Sequence, residues 1–155
     1  MNALARKVGR RLKAKRARLV TADSCTGGWV AQAVTAISGS SDWFDCGFVT
    51  YSNDAKRRML GVKASTLKKH GAVSEETALE MAKGALRKSR GTIAVAVTGV
   101  AGPKGGSGTK PVGMVCFSWA TRKVTRSETR RFGGNRESVR RQSVIHALKG
   151  VLRRG

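Results

Sequence analysis

The sequence is poor in aromatic residues and proline, and it has no long apolar run. Aromatic residues make up 5% of the 155 residues, and only two prolines are present. The longest apolar stretches, such as residues 92–97, are too short to cross a bilayer, and the basic N-terminus lacks the apolar segment of a signal peptide. These absences argue against a membrane partner and predict a soluble, cytoplasmic protein.

The few cysteines form no pattern that would hold a disulfide framework or a metal. Cys25, Cys46 and Cys116 are an odd number at irregular spacing, and His70 and His146 stand apart from them. Structural zinc takes Cys or His ligands in close pairs, and disulfide frameworks use an even set of cysteines. We therefore expect no structural metal.

Acidic residues are scarce, so the chain is strongly basic. There are 31 Lys and Arg against 9 Asp and Glu, which gives a net charge of +22. Residues 1–20 hold eight of these cations with no acid, and residues 120–155 hold eleven against two acids. Such ends could hold nucleic acid by counterion release, but a solvated basic surface is the more common meaning. Nucleic acid binding through the basic termini is therefore possible but not favoured.

The hydrophobic pattern predicts one α/β domain over residues 1–155. A hydrophobic content of 40% is enough for a single core at this length. The predicted helices cover residues 2–16, 27–37, a segment that begins at Asn53, a segment capped by Ser74, and 136–153; the predicted strands cover 18–22, 44–51, 92–98, 112–120 and 124–132. Because the last two strands form a hairpin, we expect a three-layer α/β/α sandwich on a mixed, about five-stranded sheet with one antiparallel strand.

The segment of residues 21–28 is a strand-to-helix turn that could carry a nucleophile. A hydroxyl at Ser24 would project from the carboxyl edge of the sheet, where open α/β proteins bind ligands. The following backbone amides could bind an oxyanion or a phosphate, which makes the next four residues candidates for substrate binding: Cys25, Thr26, Gly27 and Gly28. The alternative is that Ser24 only caps the helix.

A lysine one turn into the next helix is the candidate base. Burial lowers the pKa of a lysine, so a buried Lys56 could accept a proton near neutral pH. No histidine adjoins Ser24, which leaves a serine and a lysine, with a possible relay by Tyr51 at the end of a strand. The alternative is a solvated lysine beside Arg57 and Arg58.

Two further segments could bind the substrate. The glycine-rich segment of residues 98–106 follows the predicted central strand, and Thr98, Gly99 and Gly102 are its candidates. It matches neither a Walker A loop nor a Rossmann fingerprint, and it could simply be a flexible connection. Arg136 and Arg140 are four residues apart on a helix, so they could clamp an anion or could be ordinary surface charges.

Taken together, these segments resemble the CinA C-terminal domain family (competence/damage-inducible protein), whose known activity is deamidation of nicotinamide mononucleotide. The resemblance covers about nine-tenths of the chain in order. It is carried by residues 22–28, 47–56, 70–74, 98–106, 110–113 and 136–140.

The resemblance implies a function and roles for individual residues. It implies an amidohydrolase of the pyridine nucleotide cycle that needs no metal or cofactor, acts on a small nucleotide, and forms homo-oligomers, with a dimer as the first expectation. Ser24 falls on the family's nucleophile, Lys56 on its general base and Tyr51 on the tyrosine that assists them. We expect the stand-alone form of the domain.

The sequence departs from the family pattern at two positions. Asp23 stands where the family usually has Glu, and Asn135 stands where it has Asp. An alternative is therefore a catalytically inactive or altered paralogue that binds a small molecule on the same fold. A basic nucleic-acid-binding module is a third and less favoured reading, because aromatic residues that stack on bases are few.

Overall fold

Five strands form one sheet, and helices cover both of its faces in the computed structural model, which describes residues 1–155. The strands are β1 (Leu19–Asp23), β2 (Phe44–Val49), β3 (Ile93–Gly99), β4 (Met114–Thr121) and β5 (Thr125–Arg131). The helices are α1 (Asn2–Ala14), α2 (Trp29–Thr35), α3 (Asn53–Leu60), α4 (Ala64–His70), α5 (Glu75–Arg87) and α6 (Arg136–Arg154), with one 3-10 turn at Ser40–Asp42. No helix is both long and apolar enough to span a membrane.

The sheet is mixed, with a single strand of reversed direction. Its order is β2-β1-β3-β4-β5. Strands β1, β2 and β3 are parallel, and β4 is antiparallel to both of its neighbours. The predicted fold class is therefore confirmed, including its one antiparallel strand. The five glycines and two prolines of residues 99–111 predict an irregular segment. Apart from Gly99, the last residue of β3, this segment contains no helix or strand, and β4 begins two residues later than predicted.

Alternate residues of the central strands feed two separate hydrophobic layers. Val95 and Val97 pack with α1, α2 and α6 on one face, whereas Ala94 and Ala96 pack with α3 and α5 on the other. This division follows from the period of two in a strand. Nearly all of β3 is buried, as its continuous apolar run predicts for a central strand covered on both faces. All of β1 is buried as well.

Helix α3 is fixed by a close approach of α5. A Cβ atom on Gly84 would lie 2.0 Å from the carbonyl oxygen of Leu60, so only glycine allows this packing. Ser52 caps the start of α3 by accepting a hydrogen bond from the Ala55 amide, one residue before the predicted start. Ser74 caps α5 as predicted, accepting from the Thr77 amide. These contacts fix the helix that carries Lys56.

Helix α4 is the one α-helix that the sequence pattern did not predict. It spans only Ala64–His70 and buries no residue. A helix without a buried face has no apolar period to detect.

Candidate active site

Ser24 lies in a tight turn at the carboxyl end of β1. Its amide donates to the Val97 carbonyl of β3 at 2.9 Å, and the residue is 7% exposed. Gly27 and Gly28 follow with φ values of 61° and 92°, a left-handed conformation that glycine adopts without strain. Helix α2 begins only at Trp29 and is capped by Gly28, so the alternative that Ser24 is a helix cap is wrong.

Lys56 points directly at Ser24. Its Nζ lies 2.9 Å from Ser24 Oγ and 2.8 Å from the carbonyl oxygen of Thr50, and the residue is only 1% exposed. Burial lowers the pKa of Lys56 from 10.5 to about 8. The alternative of a solvated lysine is therefore wrong, and a serine hydroxyl faces an amine that is partly neutral near physiological pH.

The neighbouring thiol is poorly suited to attack. Burial and, to a smaller extent, the nearby Asp23 raise the pKa of Cys25 to about 12. Because the thiolate rather than the thiol is the nucleophile, Cys25 is inert at neutral pH. The hydroxyl of Ser24 is therefore the available nucleophile of this turn.

The buried carboxyl group of Asp23 stabilises the turn by a hydrogen bond to Thr26. Asp23 is 1% exposed, and its Oδ1 accepts a hydrogen bond from Thr26 Oγ1. Burial raises the pKa of Asp23 to about 6, and the Thr26 hydroxyl and the backbone amides of Val30 and Ala31 oppose that shift. Its Oδ2 makes no hydrogen bond of good geometry.

Arg140 of α6 also stabilises this turn, which it braces by hydrogen bonds to two of its carbonyl groups. Its Nε donates to the Cys25 carbonyl at 3.2 Å and its Nη2 to the Thr26 carbonyl at 3.0 Å. Its guanidinium also lies 5.4 Å from the centre of the Trp29 ring. The amides of Cys25 and Thr26 have no acceptor in the protein, so they remain available to a bound oxyanion.

The serine and the lysine open into a small pocket of about 170 Å³. Thr98 forms part of its wall, where its Oγ1 donates to the Ala72 carbonyl at 2.8 Å. Arg136 stands at the wall, donating to the Gly102 carbonyl at 2.8 Å and to the Tyr51 hydroxyl at 3.2 Å. The lining residues are Ser24, Cys25, Tyr51, Lys56, Ala72, Val73, Thr98, Gly99, Ala101 and Arg136.

A second, more open hollow of about 500 Å³ adjoins this pocket. It is lined by Trp29, Arg136, Glu137 and Arg140, so Arg136 belongs to both spaces. The two together form a small inner pocket and a larger outer hollow with two arginines.

Most of the predicted site residues meet here. Seven of them line the inner pocket: Ser24, Cys25, Tyr51, Lys56, Thr98, Gly99 and Arg136. The others lie beside it: Thr26, Gly27 and Gly28 belong to the turn, Gly102 accepts from Arg136, and Arg140 donates to the turn. Three lining residues were not predicted, Ala72, Val73 and Ala101, although their segments carry part of the family resemblance. Nowhere do three or more His, Cys, Asp or Glu side chains form a group that could hold a metal ion.

Fold and site together define an α/β/α protein with a buried serine–lysine pair at the carboxyl edge of its sheet. The model of the CinA C-terminal domain matches residues 1–154. The chain belongs to the CinA C-terminal domain family.

Relatives of known name and known structure are similar over nearly the whole chain. The nicotinamide-nucleotide amidohydrolase PncC of Escherichia coli K12 is 54% identical over 149 residues, covering 94% of this chain and 89% of the relative. The protein of the same name from Pseudomonas putida is 50% identical over 98% of this chain and 95% of its own length. The crystal structure of the competence/damage inducible protein CihA from Agrobacterium tumefaciens superposes with a TM-score of 0.96 at 47% identity, covering 98% and 93% of the two chains.

Proposed function

We propose that this chain is a nicotinamide-nucleotide amidohydrolase, which converts nicotinamide mononucleotide to nicotinate mononucleotide and ammonia. The observation that carries the chemistry is the contact of 2.9 Å between Lys56 Nζ and Ser24 Oγ, and both residues line the inner pocket. The substrate follows from relatives that are about half identical and carry this name.

The first step is attack by Ser24 on the carboxamide carbon. Lys56 in its neutral form takes the hydroxyl proton as Oγ forms the new bond, which gives a tetrahedral intermediate. The amides of Cys25 and Thr26 are placed to donate to its oxyanion, and each good donor stabilises such a charge by about 3 kcal/mol.

The second step releases ammonia. The Lys56 ammonium returns its proton to the substrate nitrogen, the carbon–nitrogen bond breaks, and nicotinate remains as an ester on Ser24. Water then attacks the ester carbon while Lys56 again accepts a proton. The ester bond breaks, Ser24 regains a proton, and nicotinate mononucleotide leaves.

The two adjoining spaces suit the two parts of this substrate. The inner pocket of about 170 Å³ is the size for a pyridine carboxamide, and the open hollow can take the ribose phosphate. Arg136 borders both spaces and is our choice for the phosphate. Arg140 contributes positive charge there, but its Nε and Nη2 already donate to backbone carbonyls, so bracing the turn is its main role.

Tyr51 contributes at the mouth of the pocket. Its side chain is 63% exposed, and its hydroxyl accepts from Arg136 rather than contacting Ser24 or Lys56. Because Ser24 Oγ and Lys56 Nζ are in direct contact, a proton can pass between them without a relay. The predicted relay through Tyr51 stays a prediction.

The two departures from the family pattern leave their contacts in place. Asp23 still accepts the Thr26 hydroxyl, and Asn135 Oδ1 still caps α6 by accepting from the Ser138 amide at 2.9 Å. These contacts favour the active enzyme over an inactive binding paralogue. We further propose that it acts in the cytoplasm as a homodimer.

The test is formation of ammonia and nicotinate mononucleotide from nicotinamide mononucleotide by the purified protein. Nicotinamide riboside, which lacks the phosphate, is the matched control substrate. We expect turnover of the nucleotide with a much lower KM than of the riboside. A folded protein that releases no ammonia from either compound would overturn the proposal.

A further inference from the structure

A basic groove lies at the other end of the sheet from the active site. It has a volume of about 780 Å³ and is formed by the end of α5, the segment before β3 and the turn between β4 and β5. Five of its lining residues are cationic: Lys83, Arg87, Arg90, Arg122 and Lys123. The proposed amidase reaction uses none of them.

The five cations are not neutralised by the protein. No acidic residue lines the groove, and none of its cations belongs to an ion pair. Only Arg87 has a side-chain hydrogen bond, a long one of 3.5 Å to the Leu60 carbonyl. Like charges gathered without counter-charges repel each other, and an anionic partner would remove this repulsion.

The groove continues across the hairpin. A neighbouring hollow of about 460 Å³ on the other side of the turn shares Thr121, Lys123 and Val124 with it. It adds Arg126 and Arg154, together with Ile93 and Trp119. The Trp119 ring is 2% exposed and lies under Arg154, so it is not free to stack on a base. The cationic surface therefore extends beyond the size of one small anion.

The lining favours a partner that is recognised by its phosphates alone. The apolar residues of the groove are the aliphatic Leu79, Leu86 and Val124, and no aromatic residue is present there. Proteins that hold single strands or free nucleotides commonly stack bases on aromatic rings. A duplex hides its bases and offers only the charged backbone, which a cationic groove binds without reading sequence.

We propose that this groove, lined by Lys83, Arg87, Arg90, Arg122 and Lys123, binds the phosphate backbone of double-stranded nucleic acid. Thr121 pairs with Ile93 at one end of β3, whereas Gly99 at the other end leads into the catalytic pocket. Seven strand residues separate the two sites by about 20 Å. The groove is therefore a site separate from the catalytic pocket.

The experiment measures binding of a fluorescent DNA duplex of about 20 base pairs over a range of salt concentrations. The test variant is Lys83→Gln/Arg122→Gln/Lys123→Gln, which removes three exposed charges of the groove. The control is Arg6→Gln/Lys7→Gln/Arg10→Gln, which removes three exposed charges from α1 and gives the same net charge. Ammonia release by both variants reports folding and an intact active site.

We expect the groove variant to lose at least about 30-fold in affinity near 0.1 M salt and to flatten the log–log salt dependence by about 3. The α1 control loses no more than about threefold, and both variants keep their amidase activity. Equal losses of affinity in the two variants would show that the duplex is attracted only by the net charge, and would overturn the proposal that the groove binds it. A wild-type protein that binds the single strand or inorganic polyphosphate but not the duplex would overturn the choice of partner.

Discussion

The two ends of the sheet use cationic side chains in different ways. At the carboxyl end of β1, each cation of the site donates to a backbone carbonyl: Lys56 to Thr50, Arg136 to Gly102, and Arg140 to Cys25 and Thr26. At the amino end of β3, the groove cations are exposed, and all but Arg87 lack side-chain hydrogen bonds.

This difference in hydrogen bonding determines what a basic side chain can do. A cation held by carbonyl oxygens has one position, so it can act on a single atom of a substrate. A free cation contributes to a field that many anions can share and that salt screens. Substitutions at the carboxyl end should therefore have large and specific effects, whereas those at the other end should leave the chemistry unchanged.

The largest expected effect is that of Lys56→Met, set against Lys83→Met. Methionine fills the buried space but cannot accept a proton, so we expect kcat for ammonia release to fall at least about 1,000-fold. Lys83 is exposed on α5, and its replacement should change kcat by less than about twofold. Thermal unfolding of both variants is the control for folding. Comparable rates of ammonia release in the two variants would show that the two ends of the sheet do not differ in this way.

Within the site, Arg136 and Arg140 of α6 should differ in whether their loss affects KM or kcat. We expect Arg140→Gln to lower kcat about 30-fold, because the turn that carries Ser24 and the oxyanion amides loses its brace. Arg136→Gln should instead raise KM for nicotinamide mononucleotide about tenfold with a small change in kcat, because its loss weakens phosphate binding. Steady-state kinetics separates the two effects. A rise in KM for Arg140→Gln but not for Arg136→Gln would show that Arg140 binds the phosphate instead.

The pH dependence tests the state of Lys56. With a pKa of about 8, the amine is neutral in about a tenth of molecules at pH 7 and in most at pH 9. We therefore expect kcat/KM to rise about tenfold over this interval and then level off. A profile that falls with pH would mean that the protonated lysine is required.

The same shift links Lys56 to stability. Its folded pKa of about 8 lies below the ordinary value of 10.5, so the unfolded chain binds the proton more tightly. Lys56 therefore destabilises the fold while it is protonated, and this cost disappears as pH rises from about 8 to 10.5. The difference in unfolding free energy between Lys56→Met and the wild type should shrink over that range.

The smallest expected effect is that of Tyr51→Phe. Because the exposed phenol contacts Arg136 and not the serine or the lysine, we expect kcat within about threefold of the wild type and a modest rise in KM. A kcat loss as large as that of Lys56→Met would instead show that Tyr51 relays the proton.

Much of the fold was predictable because its signals are local. The buried run of β3, the cap at Ser74 and the hairpin before β5 are each encoded in a few consecutive residues. Helix α4 was missed because it buries nothing and so carries no apolar period.

The site was only partly predictable, because its contacts join residues that are far apart in the sequence. Ser24 and Lys56 could be chosen from their residue types and from the resemblance, but their contact spans 32 positions and depends on β2 lying beside β1. The brace by Arg140 joins residues 115 positions apart, and nothing in the local pattern distinguishes it from a surface arginine. The basic groove arises only when the end of α5 meets the hairpin turn.

The most direct test of the account is ammonia release from nicotinamide mononucleotide by Ser24→Ala beside Cys25→Ala. The two residues are adjacent and both line the pocket, so the pair isolates the nucleophile from general damage to the turn. We predict that Ser24→Ala loses at least about 1,000-fold in kcat while Cys25→Ala stays within about tenfold of the wild type. Retained turnover in Ser24→Ala, with loss in Cys25→Ala, would contradict the account and make the thiol the nucleophile.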